Sequence, residues 1–199
     1  MNKPHLLLPC LLIVSALALA ACGGSGGGGS SDEEQIEEAI TMSATTTDPA
    51  NCTKLETKAF VEQSSKESGK AAYKTCEKEA KDPTNNADSV AVSEVEVEGS
   101  KATADAAIIG GGFDGQTVTI ALVEEGGQWK LDQITGFAKL DTAALAKTFK
   151  TQFEASGELT PGQTACIVGG IEEASQAEVE EFLLSGSSTP FVELAESCS

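Results

Sequence analysis

Between residues 33 and 80 apolar side chains recur at helical spacing, and beyond residue 86 the period falls to two. Ile36, Ala39, Ile40 and Met42 mark a first amphipathic stretch, closed by Thr45-Thr46-Thr47-Asp48-Pro49. Leu55, Ala59 and Phe60 open a second, and Ala72, Tyr73, Cys76 and Ala80 give a third after Gly69. Glu and Lys crowd the opposite faces, the pattern of a solvated helix surface supported by i,i+4 pairs. After Asp82-Pro83-Thr84-Asn85-Asn86, Val90 and Val92 alternate with polar neighbours, and Val95 and Val97 do so in the opposite phase. A slip of one residue would turn every later side chain to the wrong face, so a bulge is expected near Ser93-Glu94.

Gly99-Ser100 leads into a second strand, Lys101 to Ile109, and the run from Gly110 to Gly115 turns the chain again. Val118, Ile120 and Leu122 form a third strand. Glu125-Gly126-Gly127-Gln128 is a tight hairpin signal, because consecutive glycines accept positive φ. Trp129 and Leu131 open the fourth strand, and Ile134 and Phe137 follow after another change of phase. Helices followed by an antiparallel meander predict an α+β domain over residues 32–140.

The remaining residues, 141–199, read as a helical C-terminal module. Asp141 is placed to cap a helix in which Leu145, Phe149 and Phe153 form one stripe, with Gly157 and Pro161 expected to end it. Ser175-Gln176-Ala177-Glu178 is a capping box ahead of Val179, Phe182 and Leu183, and Gly186 stops that helix. Thr189-Pro190 starts another, with Phe191 and Leu194 expected to point inward.

The N-terminal 21 residues are of another kind. Lys3 precedes an apolar run from Leu6 to Leu19, broken only by Pro9, Cys10 and Ser15. That run falls short of the roughly 20 residues needed to span a bilayer and ends in small residues, which predicts a secretion signal. Its last residues, Leu19-Ala20-Ala21, followed by Cys22, resemble the lipobox of bacterial lipoproteins. The resemblance implies cleavage before Cys22, a diacylglyceryl group on its sulfur, an acyl chain such as palmitate on the new amino terminus, and anchoring at the extracytoplasmic face of the cell membrane. Two or three acyl chains hold a protein where one does not, at about 0.8 kcal/mol per buried methylene. The alternative is a secreted protein cut after Ala20 or Ala21. Residues 22–31 comprise Cys22 and a Gly/Ser tether with a span of roughly 15 to 20 Å. No lysine and no preceding strand accompany these glycines, so they do not read as a phosphate loop.

Composition narrows the chemistry. The formal charge is -18, the chain has no arginine, and its one histidine, His5, lies in the expected leader. Imidazole bases, imidazole metal ligands and guanidinium forks are thereby excluded from the exported chain. So acidic a protein repels nucleic acid, which leaves neutral or cationic partners. Four cysteines remain after export, Cys52, Cys76, Cys166 and Cys198, and permit three disulfide connectivities. Pairing Cys52 with Cys76 and Cys166 with Cys198 is expected, because each pair brackets a local helical segment on one side of a boundary near Asp141. A four-cysteine zinc site lacks the close Cys-x-x-Cys spacing such centres use. Asn51-Cys52-Thr53 matches a glycosylation sequon in form only.

Three helices, a bulged sheet and a late Gly-x-Trp-Lys-Leu-Asp strand, Gly127 to Asp132, resemble the NTF2-like superfamily. The resemblance implies a cone in which a curved sheet wraps the helices and leaves a mostly apolar pocket. An isomerase-type site there requires a carboxylate base and an acid donor. Tyr73 is the one tyrosine, Asp105 the one acid between Ala102 and Ile109, and Asp132 is phased opposite to Trp129 and Leu131. Each is accounted for by packing or solvation, so no catalytic, cofactor or metal residue is assigned. The expected function is non-enzymatic binding of a small apolar ligand or an envelope protein, with Tyr73, Phe113 and Trp129 as candidate pocket residues. The alternatives are an NTF2-like isomerase or cyclase and a purely structural protein-contact domain.

Overall fold

The computed structural model describes residues 30–157, 159–184 and 189–198, the side chains of 189–192 excepted. Cys22, the expected leader and nearly all of the tether lie outside the described residues, as does the side chain of Phe191. Four helical segments come first: α1 (Asp32–Thr45), α2 (Asn51–Lys54), α3 (Lys58–Ser65) and α4 (Gly69–Glu79). A sheet follows, made of β1 (Ser89–Glu98), β2 (Lys101–Ile109), β3 (Thr117–Glu125) and β4 (Gln128–Lys139). The chain ends in α5 (Thr142–Ser156), α6 (Pro161–Glu173), α7 (Gln176–Leu184) and α8 (Thr189–Ser197). The architecture is α+β, with the four strands antiparallel and in sequence order.

The sheet carries the irregularities that its sequence requires. In β1 the register shifts between Ser93 and Glu96, with Glu94 at φ 50, and this returns Val95 to the side of Val90 and Val92. Strand β4 is irregular at three places opposite β3, so Trp129, Leu131, Ile134 and Phe137 all face inward although their spacing is two, then three, then three. Gly126 and Gly127, at φ 64 and 81, close the β3–β4 hairpin. Gly110 has φ 83, and a Cβ there would lie 2.8 Å from the Asp88 backbone nitrogen, so the β2–β3 connection packs against the start of β1 only with glycine.

Helix α1 starts at a capping box, Ser31 with Glu34, and lays Ile36, Ala39 and Ile40 on the inner face of the sheet. Met42 lies off that stripe, 38% exposed. The second expected helix is divided. After Leu55 the chain leaves helical geometry and pairs with β4: the Leu131 N–H donates to the Leu55 carbonyl at 2.8 Å, and the Thr57 N–H to the Leu131 carbonyl at 2.8 Å. Thr57 then caps α3.

Pro161 does not terminate a helix as expected. It occupies the first turn of α6, where its missing N–H costs nothing, and Thr160 forms a capping box with Gln163. Asp141 caps α5, and Ser175 and Glu178 cap α7. Disulfides join Cys52 to Cys76 and Cys166 to Cys198. The C-terminal helices share one core with the sheet, since Leu145, Ile167, Ile171 and Val179 pack with the residues of β2 to β4. Polar contacts lock that union. The buried Gln116 side chain accepts from the Asp141 N–H at 2.8 Å and donates to the Asp141 carbonyl at 3.0 Å. Gln63 on α3 exchanges two hydrogen bonds with the Ile134 backbone and donates to the Leu184 carbonyl. On α7, Glu180 accepts from the Phe137 N–H and Gln176 donates to the Phe137 carbonyl.

Candidate functional site

Between the N-terminal helices and the inner face of the sheet lies a cavity of about 440 Å³. Its floor is Ala106, Val118, Ile120, Leu131 and Ile134, and its walls include Ile40, Phe60 and Phe113. Ala106 of β2 helps make the space, since it stands where a larger inward residue would fill it. Asp48, Glu79, Asn85, Gly112 and Gln152 are exposed and mark the mouth, whereas Asn51, Cys52 and Glu56 are buried and lie inside.

Glu56 is the one buried carboxylate of this lining, 8% exposed. Its position follows from the chain's departure from the helix at Leu55. Because Glu56 bridges to Leu131, and Leu131 faces inward, the carboxylate is turned into the cavity rather than toward water. Ser43 on α1 donates to its Oε1 at 2.8 Å. The neighbour of Oε2 is Cys76 Sγ at 3.4 Å, a sulfur that belongs to a disulfide and has no proton to give. Burial pushes the Glu56 carboxyl above the ordinary glutamate range, and the Ser43 hydrogen bond only partly offsets this. At the mouth, burial and the nearby Glu67 charge also raise Glu79, against the pull of Lys78.

A raised carboxyl pKa has a definite sign in stability. The native state keeps the Glu56 proton at pH values where the unfolded chain has already released it, so its contribution is fully present below the unfolded pKa and is lost as pH rises through the folded one. Glu56→Gln removes that loss. The melting temperature of E56Q is expected to exceed that of the wild type by a margin that grows from pH 4 to pH 8. Thermal scans across that range test this, and a margin that shrinks with pH would contradict the burial-driven shift.

The sequence-based candidates are distributed otherwise. Phe113 lines the cavity and sits 6.1 Å from the Phe137 ring, but neither Tyr73 nor Trp129 is part of the lining. Tyr73 is half-buried on α4 outside the main core. Trp129 is buried, and its Nε1–H donates to Asp32 at 3.2 Å, beside the β3–β4 hairpin. Asp105 alternates with Ala104 and Ala106 and so faces away from the cavity, where Thr119 donates to it at 2.7 Å. Asp132 accepts from Thr57 at 2.8 Å. The isomerase-like pairing of Tyr73 with Asp105 or Asp132 is therefore not assembled, and the buried acid that faces the cavity is Glu56. Sequence periodicity hid it, because a glutamate inside a helical stretch reads as solvated.

Among the described residues, the one group of three with metal-ligand geometry is Cys52, Glu56 and Cys76, whose donor atoms lie within 4.8 Å of one another. Both sulfurs are spent in the disulfide, which leaves a single carboxylate donor. No described helix is long and apolar enough to cross a membrane.

No curated protein and no solved structure matches the chain. One family model does, over residues 36–148, from within α1 through the sheet and into α5. By that match the chain belongs to the family described as low molecular weight antigen MTB12, C-terminal domain.

Proposed function

We propose that this protein is an extracytoplasmic lipoprotein, anchored through Cys22, whose NTF2-like domain takes a small and mostly apolar molecule into the cavity. The observation that carries this reading is an apolar-floored cavity with one carboxylate at 8% exposure inside it. Its volume falls within the roughly 300 to 1,000 Å³ usual for ligand pockets, and an apolar lining with a few fixed polar groups is what such pockets share. A carboxylate held in that setting lowers the stability of the empty protein, and groups kept at such a cost concentrate at functional sites. The NTF2-like part of the reading is supported by helices packed on one face of a sheet whose bulges fall in β1 and β4. The anchor is supported by the apolar leader and the Leu19-Ala20-Ala21-Cys22 sequence.

Native mass spectrometry of the exported chain, purified gently from membranes, tests the whole reading. A mature chain beginning at an acylated Cys22, with a co-purifying mass that leaves on denaturation, is the expected result. An apo mass, lighter only by the hydrogens lost to two disulfides, would remove support for a carried ligand and move the search to protein contacts.

A further inference from the structure

The polar surroundings of Glu56 inside the cavity are one-sided. The hydrogen-bond donors on the side chains beside Glu56 are already engaged, while the Asn86 and Gln152 amides also line the cavity. Ser43 gives its proton to Glu56 Oε1, and Asn51 Nδ2 donates to the Met42 carbonyl at 3.1 Å and to Thr46 Oγ1 at 2.6 Å. Thr46 in turn donates to the Met42 carbonyl at 2.8 Å. What remains beside Glu56 is acceptor capacity: Glu56 Oε2, which faces a disulfide sulfur that cannot donate, and the lone pairs of Ser43 Oγ.

Charge points the same way. The lining contains Glu56, Asp48 and Glu79 and no lysine, in a chain of formal charge -18. A concave site of one sign with low-dielectric walls concentrates ligands of the opposite sign and turns away carboxylates and phosphates. A buried carboxylate left without a counter-ion is costly, and an ammonium at hydrogen-bond distance both neutralises it and supplies the missing donors.

We infer that the cavity binds amphiphilic amines, with the ammonium group seated against Glu56 Oε2 and Ser43 Oγ and the apolar body lying over Ala106, Val118 and Ile120. The inference rests on the cavity-binding reading above and specifies its ligand class. Asp48 and Glu79 attract the cation at the mouth, and Glu56 selects it inside.

Calorimetric titration of the mature chain with decylamine, 1-decanol and decanoate, each below its micelle concentration, tests it. Decylamine is expected to bind at least ten-fold more tightly than decanol, and decanoate least. In E56Q, which keeps the shape of the side chain and its contact with Ser43, the amine preference is expected to vanish while decanol affinity stays within a few-fold. Equal binding of amine and alcohol, or an amine preference that survives in E56Q, overturns the amine inference and leaves cavity binding intact. Failure of all three probes, with E56Q and wild type alike folded by circular dichroism, overturns both.

Discussion

Trp129→Ala is expected to destabilise the fold by about 3–5 kcal/mol, the usual cost of deleting a large aromatic from a packed core. Trp129 is 3% exposed and sits in the cluster with Ala102, Leu122 and Leu131, at the hairpin end of the sheet. Its Nε1–H bond to Asp32 is a smaller part of its value, so Trp129→Phe is expected to recover most of the loss. Urea denaturation of the two variants measures this. If W129A instead lost ligand binding with its denaturation midpoint unchanged, the tryptophan would belong to the pocket and not to the scaffold.

The paired substitution Cys52→Ser with Cys76→Ser should cost about 3 kcal/mol, the loop-closure contribution expected for a bridge of sequence separation 24. The effect reaches the site as well. The bridge fastens α2 to α4, both sulfurs line the cavity, and Cys76 Sγ lies beside Glu56. Loosening α4 admits water to the carboxylate, so the stability margin between the protein lacking this bridge and its own E56Q derivative should depend less on pH than the corresponding margin in the parent. Denaturation midpoints of the parent, the Cys52→Ser/Cys76→Ser variant and their E56Q derivatives, at two pH values without reductant, provide the comparison. Stability unchanged by removal of the bridge would show that α2 and α4 are held by packing alone.

Much of the fold follows from local rules that the sequence states openly. Period-two apolar residues mark β1, β3 and the start of β4, Gly126-Gly127 marks the hairpin, and the change of phase at Ser93-Glu94 is where β1 bulges. Caps at Asp141 and at Ser175 with Glu178 show where α5 and α7 begin. Helix α6 was hidden because proline is both a helix terminator and a favoured first residue, and Thr160 with Gln163 decides for the second role.

The site was harder to read, for a physical reason. Glu56 faces inward because Leu55 and Thr57 bond to Leu131, a partner far along the chain that no local pattern announces. The three aromatic candidates were grouped by residue type, and type does not say which end of a sheet a side chain occupies. Trp129 went to the hairpin end and Phe113 to the opposite connection, next to Phe137.

The contacts that Gln63, Gln176 and Glu180 make with Ile134 and Phe137 have a further consequence for how this protein stays monomeric. They occupy the outer rim of the last strand, whose backbone groups would otherwise be free to recruit the same rim of another molecule. Proteolytic nicking between α6 and α7, together with reduction of the Cys166–Cys198 bridge that would otherwise retain the fragment, would take away two of those three side chains while leaving the cavity lining intact, because no α7 residue belongs to it. The clipped product would keep its cavity lining and gain an unpaired strand border, so the C-terminal helices guard the sheet edge against pairing with another molecule.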